Sequence, residues 1–424
     1  MKPNSPHALA VLSTLLLAAN AAYAQAPADQ QPPPPPQQQP PGGPVRHHAQ
    51  PRPFPPPSGT AKFGDPLPGL TADQLSFFAA GLDEFQNVEA ADSGLGPIFN
   101  NVSCVACHSS AAIGGAGPIS VTRFGHWENG VFDPLAALGG SLLQQNAVDP
   151  VVQEIIPPQA NVVVHRQTTP LFGLGLIEAI SDQDIQRGAQ HPSIDGIRGR
   201  VSLITDVVSG ATRVGRLGWK AQQATLLAFA GDAYLNEMGI TNRFFPDENA
   251  PNGDTARLLA FQPNPVVEDQ TDPLTGRSDI DAAADFMRFL AAPPTLPVSP
   301  SANAGRSIFQ QINCAVCHTP MMTTAPNAIA ALDRKPVGLY SDLLLHDMGL
   351  LGDGIAQASA GPREMRTAPL WGLRGSGPYL HDGRAATVDD AIRGHDGEAA
   401  GARDRYQRLT PMQRQQLLDF LGTL

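Results

Sequence analysis

Cys104-Val-Ala-Cys107-His108 and Cys314-Ala-Val-Cys317-His318 decide how this chain is read. Each has the spacing at which two thiols add to the two vinyl groups of one haem while the next histidine turns inward to ligate the iron. The two pentapeptides use all four cysteines, so none is left for a disulfide. A zinc ribbon would set its two pairs about 15–20 residues apart; these begin at residues 104 and 314. A thioredoxin-like site would need one pair in a β-α-β context, which neither has. Two covalently bound haem c groups are therefore expected, attached at Cys104, Cys107, Cys314 and Cys317, with His108 and His318 as proximal ligands.

The flanks of the two motifs are related. Phe99-Asn-Asn-Val-Ser-Cys104 parallels Phe309-Gln-Gln-Ile-Asn-Cys314, and helix-compatible segments, 72–85 and 302–312, precede them. Arg166-Gln-Thr-Thr-Pro170-Leu-Phe-Gly-Leu echoes Arg366-Thr-Ala-Pro369-Leu-Trp-Gly-Leu. These are two copies of one module. Each copy closes on a helix. Ser278-Asp-Ile-Asp281 opens one with a capping box, and Pro293-Pro294 ends it. Thr410-Pro411-Met-Gln413 opens the last, which carries Leu417, Leu418 and Leu421. In a small cytochrome c the closing helix crosses the one before the haem motif. The predicted fold is therefore mostly α and loop-rich: two cytochrome c-like haem domains packed together, 61–295 and 296–424. Insertions are expected in the first, at 129–165 and 240–275.

Residues 1–24 read as a secretory signal: Lys2, the apolar run from Ala8 to Ala19, then Ala22-Tyr23-Ala24 for cleavage. That run is short for a membrane span, so the mature protein is expected in the periplasm, without a membrane anchor. Residues 25–60 are rich in proline and glutamine, including Pro32 to Pro36, and predict an extended linker. The net charge of −11 and the lack of a Lys/Arg run argue against a nucleic-acid partner. They are compatible with docking a basic electron-donor protein.

The sixth position of each iron separates an electron carrier from an enzyme. A second strong ligand gives a haem suited to electron transfer, whereas an open position admits peroxide or another small molecule. His346, Met348, Met365, His381 and His395 are candidates at the second iron, and His126 and His165 at the first.

A chain of short segments carries a resemblance. It runs through Phe99 to His108, Pro170-Leu-Phe-Gly-Leu-Gly-Leu-Ile-Glu178, Gly218-Trp-Lys-Ala and Asn236-Glu-Met-Gly-Ile-Thr-Asn242. It continues through Tyr340-Ser-Asp-Leu-Leu-Leu-His-Asp-Met-Gly349, Leu380-His-Asp-Gly-Arg384 and Ala391-Ile-Arg-Gly-His-Asp-Gly-Glu398. In this order they resemble the bacterial di-haem cytochrome c peroxidase superfamily. That group includes the enzyme maturing the tryptophan-derived quinone of methylamine dehydrogenase. Within it the chain is most similar to the di-haem oxidoreductases, also described as thiol oxidoreductase-like.

The resemblance implies roles. His381 matches the family's His-Asp-Gly histidine. The position that carries a methionine ligand in the peroxidases, and a tyrosine in the quinone-maturing enzyme, is His395 here. Bis-histidine ligation by His318 and His395 follows, with a lower reduction potential than a Met/His pair gives, and Met348 as the second choice. Trp219, placed before Leu226 as in the family, matches the tryptophan lying between the haems. Glu237 matches the distal glutamate, a general acid–base for O–O cleavage. Phe229 stands where the peroxidases have a glutamine, and no histidine aligns with their resting distal ligand. The first iron would then be five-coordinate or water-ligated. Ser376 and Pro378 match backbone positions around a calcium ion that peroxidases hold between the domains.

The expected function is reduction of hydrogen peroxide, or another small oxidant, at the first haem. Electrons would come through the second from a small cytochrome c or cupredoxin. A di-haem electron carrier without peroxidase activity, and an enzyme oxidising a protein or organic substrate, are the alternatives. The reading leaves room for a homodimer.

Overall fold

The structure, a computed structural model, describes residues 61–261, 269, 271–273 and 275–424. The predicted signal and Pro/Gln-rich linker lie outside the described residues. Helix α1 (Ala72–Phe85) starts where Thr71 and Gln74 bond reciprocally. The Thr71 hydroxyl accepts the Gln74 N–H at 3.3 Å, and the Gln74 side chain accepts the Thr71 N–H at 3.0 Å. Two donors that a helix start leaves open are thereby satisfied. Helix α2 (Leu226–Met238) ends on Gly239, in the left-handed conformation that favours glycine. Helix α3 (Asp279–Phe289) starts at the Ser278 box read from the sequence: the Asp281 carboxylate accepts both the Ser278 N–H (3.2 Å) and hydroxyl (3.0 Å). Helices α4 (Pro300–Gln311) and α5 (Pro411–Leu421) complete the main helical framework.

The helices pack as two equivalent crossings. At Gly81, where α1 crosses α3, a Cβ would lie 2.3 Å from the Ala282 carbonyl. At Gly305, where α4 crosses α5, it would lie 1.9 Å from the Gln416 carbonyl. Only glycine allows that approach. One turn beyond each glycine a phenylalanine packs on a ring of the crossing helix. The Phe85–Phe286 centroids are 4.7 Å apart, and Phe309–Phe420 5.5 Å. Just past the closing helices, Leu290 and Leu424 accept the backbone N–H groups of Gly173 and Gly372, at 3.2 and 2.8 Å.

This register corrects one parallel drawn from sequence. The counterpart of Phe309 is Phe85, not Phe99. Helix α4 leads directly into the second motif, whereas residues 86–103 intervene between α1 and the first. Phe99 belongs to that insertion, in a two-residue strand paired with Asn146–Ala147.

The region 129–165, expected as a loop-rich insertion, contains β-structure. Strand β1 (Gly117–Glu128) pairs antiparallel with β2 (Val162–Thr168), and Val131–Asp133 and Leu142–Leu143 flank β1. The β-branched run Val162-Val163-Val164 explains β2. The helical core therefore carries a sheet on its first module.

Apolar burial forms two main clusters. One gathers Phe78, Phe85, Phe172, Phe286 and Leu290; the other gathers Ile308, Phe309, Tyr406, Leu417 and Phe420. The predicted boundary at 295/296 falls between the two helix pairs. Chain beyond it nevertheless enters the first cluster, through Val337, Leu339, Leu344 and Trp371. All described residues belong to one compact unit. Among them, no helix is long and apolar enough to cross a membrane.

Candidate functional site

Cys314–Cys317 forms one short helical turn, ending on His318 as Cys104–Cys107 ends on His108. In both histidines Nδ1 faces a backbone carbonyl: Gly115 at 3.1 Å for His108, and Tyr340 at 3.0 Å for His318. That bond places the proton on Nδ1 and leaves the Nε2 lone pair for a metal. Burial pushes both imidazoles down to about 4, so they stand neutral, as ligands must.

At the second motif a further imidazole faces His318. The ring centres of His318 and His395 are 6.4 Å apart. Two imidazoles bound at roughly 2 Å on opposite sides of one metal would put their centres about 6 Å apart. His395 also directs Nδ1 to a carbonyl, that of Ala391, at 2.7 Å, and burial lowers its pKa. The donor set fits one haem iron.

The other candidates separate. Met348, Met365, His346 and His381 line the same cavity, but His346 already has two partners. It is buried, with Nε2 2.9 Å from Asp342 and Nδ1 2.8 Å from Glu398. Burial opposes its charge, but Asp342, Cys317 and Glu398 together push its pKa up to about 12. It stands as an imidazolium, which has no lone pair to give. His381 stacks edge-on against Trp219, with centroids 6.4 Å apart. Ser376 and Pro378 lie along the same cavity wall.

Trp219 sits between the two echoed segments. Its indole N–H donates to the Gln167 carbonyl at 2.9 Å, while its own carbonyl accepts the Arg366 N–H at 2.9 Å. The cavity that it lines runs from Cys314, His318 and His395 to Thr169, Pro170 and Phe229 of the first module. Beneath it, Lys220 and Arg166 share the buried carboxylate of Asp353, at 2.8 and 2.7 Å.

At the first motif no second imidazole faces His108 among the described residues. His126 directs Nδ1 to the Gln159 carbonyl at 2.6 Å, and His165 is exposed, 3.3 Å from the Thr122 hydroxyl. Thr122 and His165 are register partners, so strand alternation puts both histidines on the sheet face opposite Arg123. Glu237 is different. Its carbonyl accepts the N–H groups of Asn100 (2.8 Å) and Asn101 (3.1 Å), which lead into Cys104. Gly96 N–H bonds to Met238 at 3.0 Å in the same seam. A Cβ on Gly96 would lie 2.2 Å from the Gly239 carbonyl, so small residues allow this close seat. The Glu237 carboxylate accepts from the Asn100 amide at 2.8 Å. Burial raises its pKa, and Arg123 and Asn100 oppose that.

Sequence reasoning missed Arg123 and Asp353, and gave no role to Asn100 and Asp342, which lie within the segments Phe99 to His108 and Tyr340 to Gly349. Lys220 was in view within Gly218-Trp-Lys-Ala, without a role. Arg123 lies on β1, where alternation was the only signal.

Paired Cys-x-x-Cys-His turns under two equivalent helix crossings, one facing a second imidazole, define a di-haem protein. The chain belongs to the family described as "Di-haem oxidoreductase, putative peroxidase", which it matches over residues 152–424. The match includes the second motif, Trp219 and Glu237, and starts after the first motif. It is an oxidoreductase by that membership. No curated protein matches the sequence. Among solved structures it is similar to hydrazine synthase of Kuenenia stuttgartiensis, at 16% identity and TM-score 0.38, over 90% of this chain and 98% of that one. A MauG-like protein associated with microbial copper homeostasis gives 18% and 0.31, over 60% and 89%. The diheme peroxidase BthA of Burkholderia thailandensis gives 16% and 0.29, over 68% and 91%. These TM-scores are low, and family membership rests on the sequence match alone.

Proposed function

We propose that this chain is an exported, periplasmic c-type di-haem enzyme that reduces hydrogen peroxide at its first haem, using electrons received at its second. The observation that carries this is the inequality of the two sites. His318 faces another imidazole, whereas the first motif is flanked by a half-buried carboxylate held by a buried amide.

Cys104 and Cys107 would hold one haem by thioether bonds, and Cys314 and Cys317 the other. His108 is the proximal ligand of the first, and His318 and His395 close the second. When bound, the two groups supply one-electron redox chemistry and, at the first, a position for a small ligand. The chain's own part is protonic and positional. Glu237, held by Asn100, takes a proton from one peroxide oxygen and returns it to the oxygen that leaves. This is the general acid–base task of O–O cleavage. Peroxide, two electrons and two protons give two waters. A carboxyl with its pKa raised by burial suits both halves of that exchange. Trp219, fixed at its N–H and carbonyl between the modules, offers an aromatic stepping point for the electrons. A small cytochrome c or cupredoxin is the proposed donor.

The test is peroxide-driven oxidation of a reduced small cytochrome by the purified holoprotein. The wild type should turn over. Glu237→Gln should lower kcat/KM by about 10²–10⁴-fold with both haems retained. No turnover by either protein, with any donor tried, refutes the peroxidase reading.

A further inference from the structure

Arg123 is a half-buried cation whose guanidinium Nε is shut off from solvent. It projects from β1, opposite Leu142 and Val164 in register. Its Nη1 makes one long bond, 3.4 Å, to the Ser141 hydroxyl. Its Nε is buried with no acceptor. Among the described residues no carboxylate lies within ion-pair distance of it. A buried guanidinium donor left unmatched costs free energy, and it persists where something outside the chain completes it.

Its surroundings say what that is. The carboxylates acting on it are those of Glu237, Asp232 and Asp353. Asp353 is already taken by Arg166 and Lys220. Asp232 accepts from the Asn236 amide at 3.0 Å, and Glu237 from Asn100 at 2.8 Å. The Asn100 amide cannot turn away, because its oxygen accepts the Gln145 N–H at 3.1 Å. A carboxylate held by an oriented amide of the segment that leads into Cys104 thus acts electrostatically on a guanidinium that keeps a free donor. The carboxylate can strip a proton from a small acid, and the guanidinium can face the anion that remains.

We propose that Arg123 is the charge partner of a small monovalent anion bound at the first haem. In turnover this anion is hydroperoxide: the O–H bond of hydrogen peroxide breaks, its proton goes to Glu237, and the negative charge left on oxygen faces Arg123. The inference rests on the reading that Glu237 flanks an open ligand position. It adds that the site selects for anions.

Ligand titration of the holoprotein tests this without turnover. Fluoride is titrated into the ferric protein by absorbance, and carbon monoxide, which is neutral, into the ferrous protein. Arg123→Leu should weaken fluoride binding by about tenfold or more while carbon monoxide binds as in the wild type. Arg123→Lys, which keeps the charge, should restore most of the fluoride affinity. Should the leucine variant fail to fold, Arg123→Gln carries the same expectation. Wild-type fluoride affinity in a folded, uncharged variant overturns the proposal and means that water or a haem propionate satisfies Arg123. A wild-type protein that binds neither fluoride nor carbon monoxide overturns the open-site reading beneath it.

Discussion

The imidazoles of His318 and His395 face each other with ring centres 6.4 Å apart, each anchored through Nδ1 to a backbone carbonyl. The two residues lie in separate segments of the second module, and the fold brings them to one point. This geometry fits two ligands of one haem iron, which is the basis of the proposed relay.

Under the proposed ligation, His395→Met would convert a bis-histidine site into a Met/His site, and Met/His ligation favours the ferrous state. The reduction potential of that haem should rise by on the order of 0.1 V, read by spectroelectrochemical titration. An unchanged potential would mean that His395 is not a ligand.

Asp353 pairs with two buried cations at once. Asp353→Ala leaves Arg166 and Lys220 without it, at 5% and 0% side-chain exposure. Removing one member of a buried ionic group costs about 3–5 kcal/mol, measurable by urea unfolding. A loss below about 1 kcal/mol would show that the triad is solvated.

Against the effect of burial, Asp342, Cys317 and Glu398 raise the His346 pKa above the ordinary value of 6.5, to about 12. A folded pKa above the unfolded one gives stability that is full below about pH 6.5 and lost as pH rises toward 12. The stability advantage of the wild type over His346→Gln should therefore be larger at pH 6 than at pH 9. The decline should be at most about 1.4 kcal/mol per pH unit. Unfolding curves at the two pH values check the sign, and a flat difference contradicts it.

Gly305 and Gly81 set the two helix crossings. Gly305→Val should destabilise by about 1–3 kcal/mol or more, since its Cβ would overlap the Gln416 carbonyl. Gly188→Ala is the control. It lies in the helix Asp182–Ala189, with nothing nearer than 3.9 Å to the new Cβ. It should be neutral or stabilising by up to about 1 kcal/mol. Equal effects of the two changes would dismiss the crossing argument.

What the sequence disclosed is what is local. The paired motifs, the boxes at Ser278 and Thr410, and Pro411 at the first helical position depend on residues within one turn, and all lie where they were expected. The match of Phe309 to Phe85 was hidden because an insertion separates α1 from its motif, so the count back from cysteine misled. His346 looked like a ligand because its acids, Asp342 and Glu398, are distributed over four and fifty-two residues of chain. Arg123 was hidden for a further reason: the carboxylates that act on it, Glu237 and Asp232, come from α2, and no spacing announces such a meeting. The inequality of the two modules was legible through His395, the Glu237 match and the lack of an aligned distal histidine, and the structure adds the facing rings of His318 and His395.

Electron paramagnetic resonance of the ferric holoprotein tests the central claim, one closed and one open haem, most directly. The account predicts one low-spin signal that disappears in His395→Ala. It also predicts a second signal, high-spin or water-ligated, that shifts on adding fluoride while the first does not. Two low-spin signals, both indifferent to fluoride and to peroxide, would contradict it and make the protein an electron carrier.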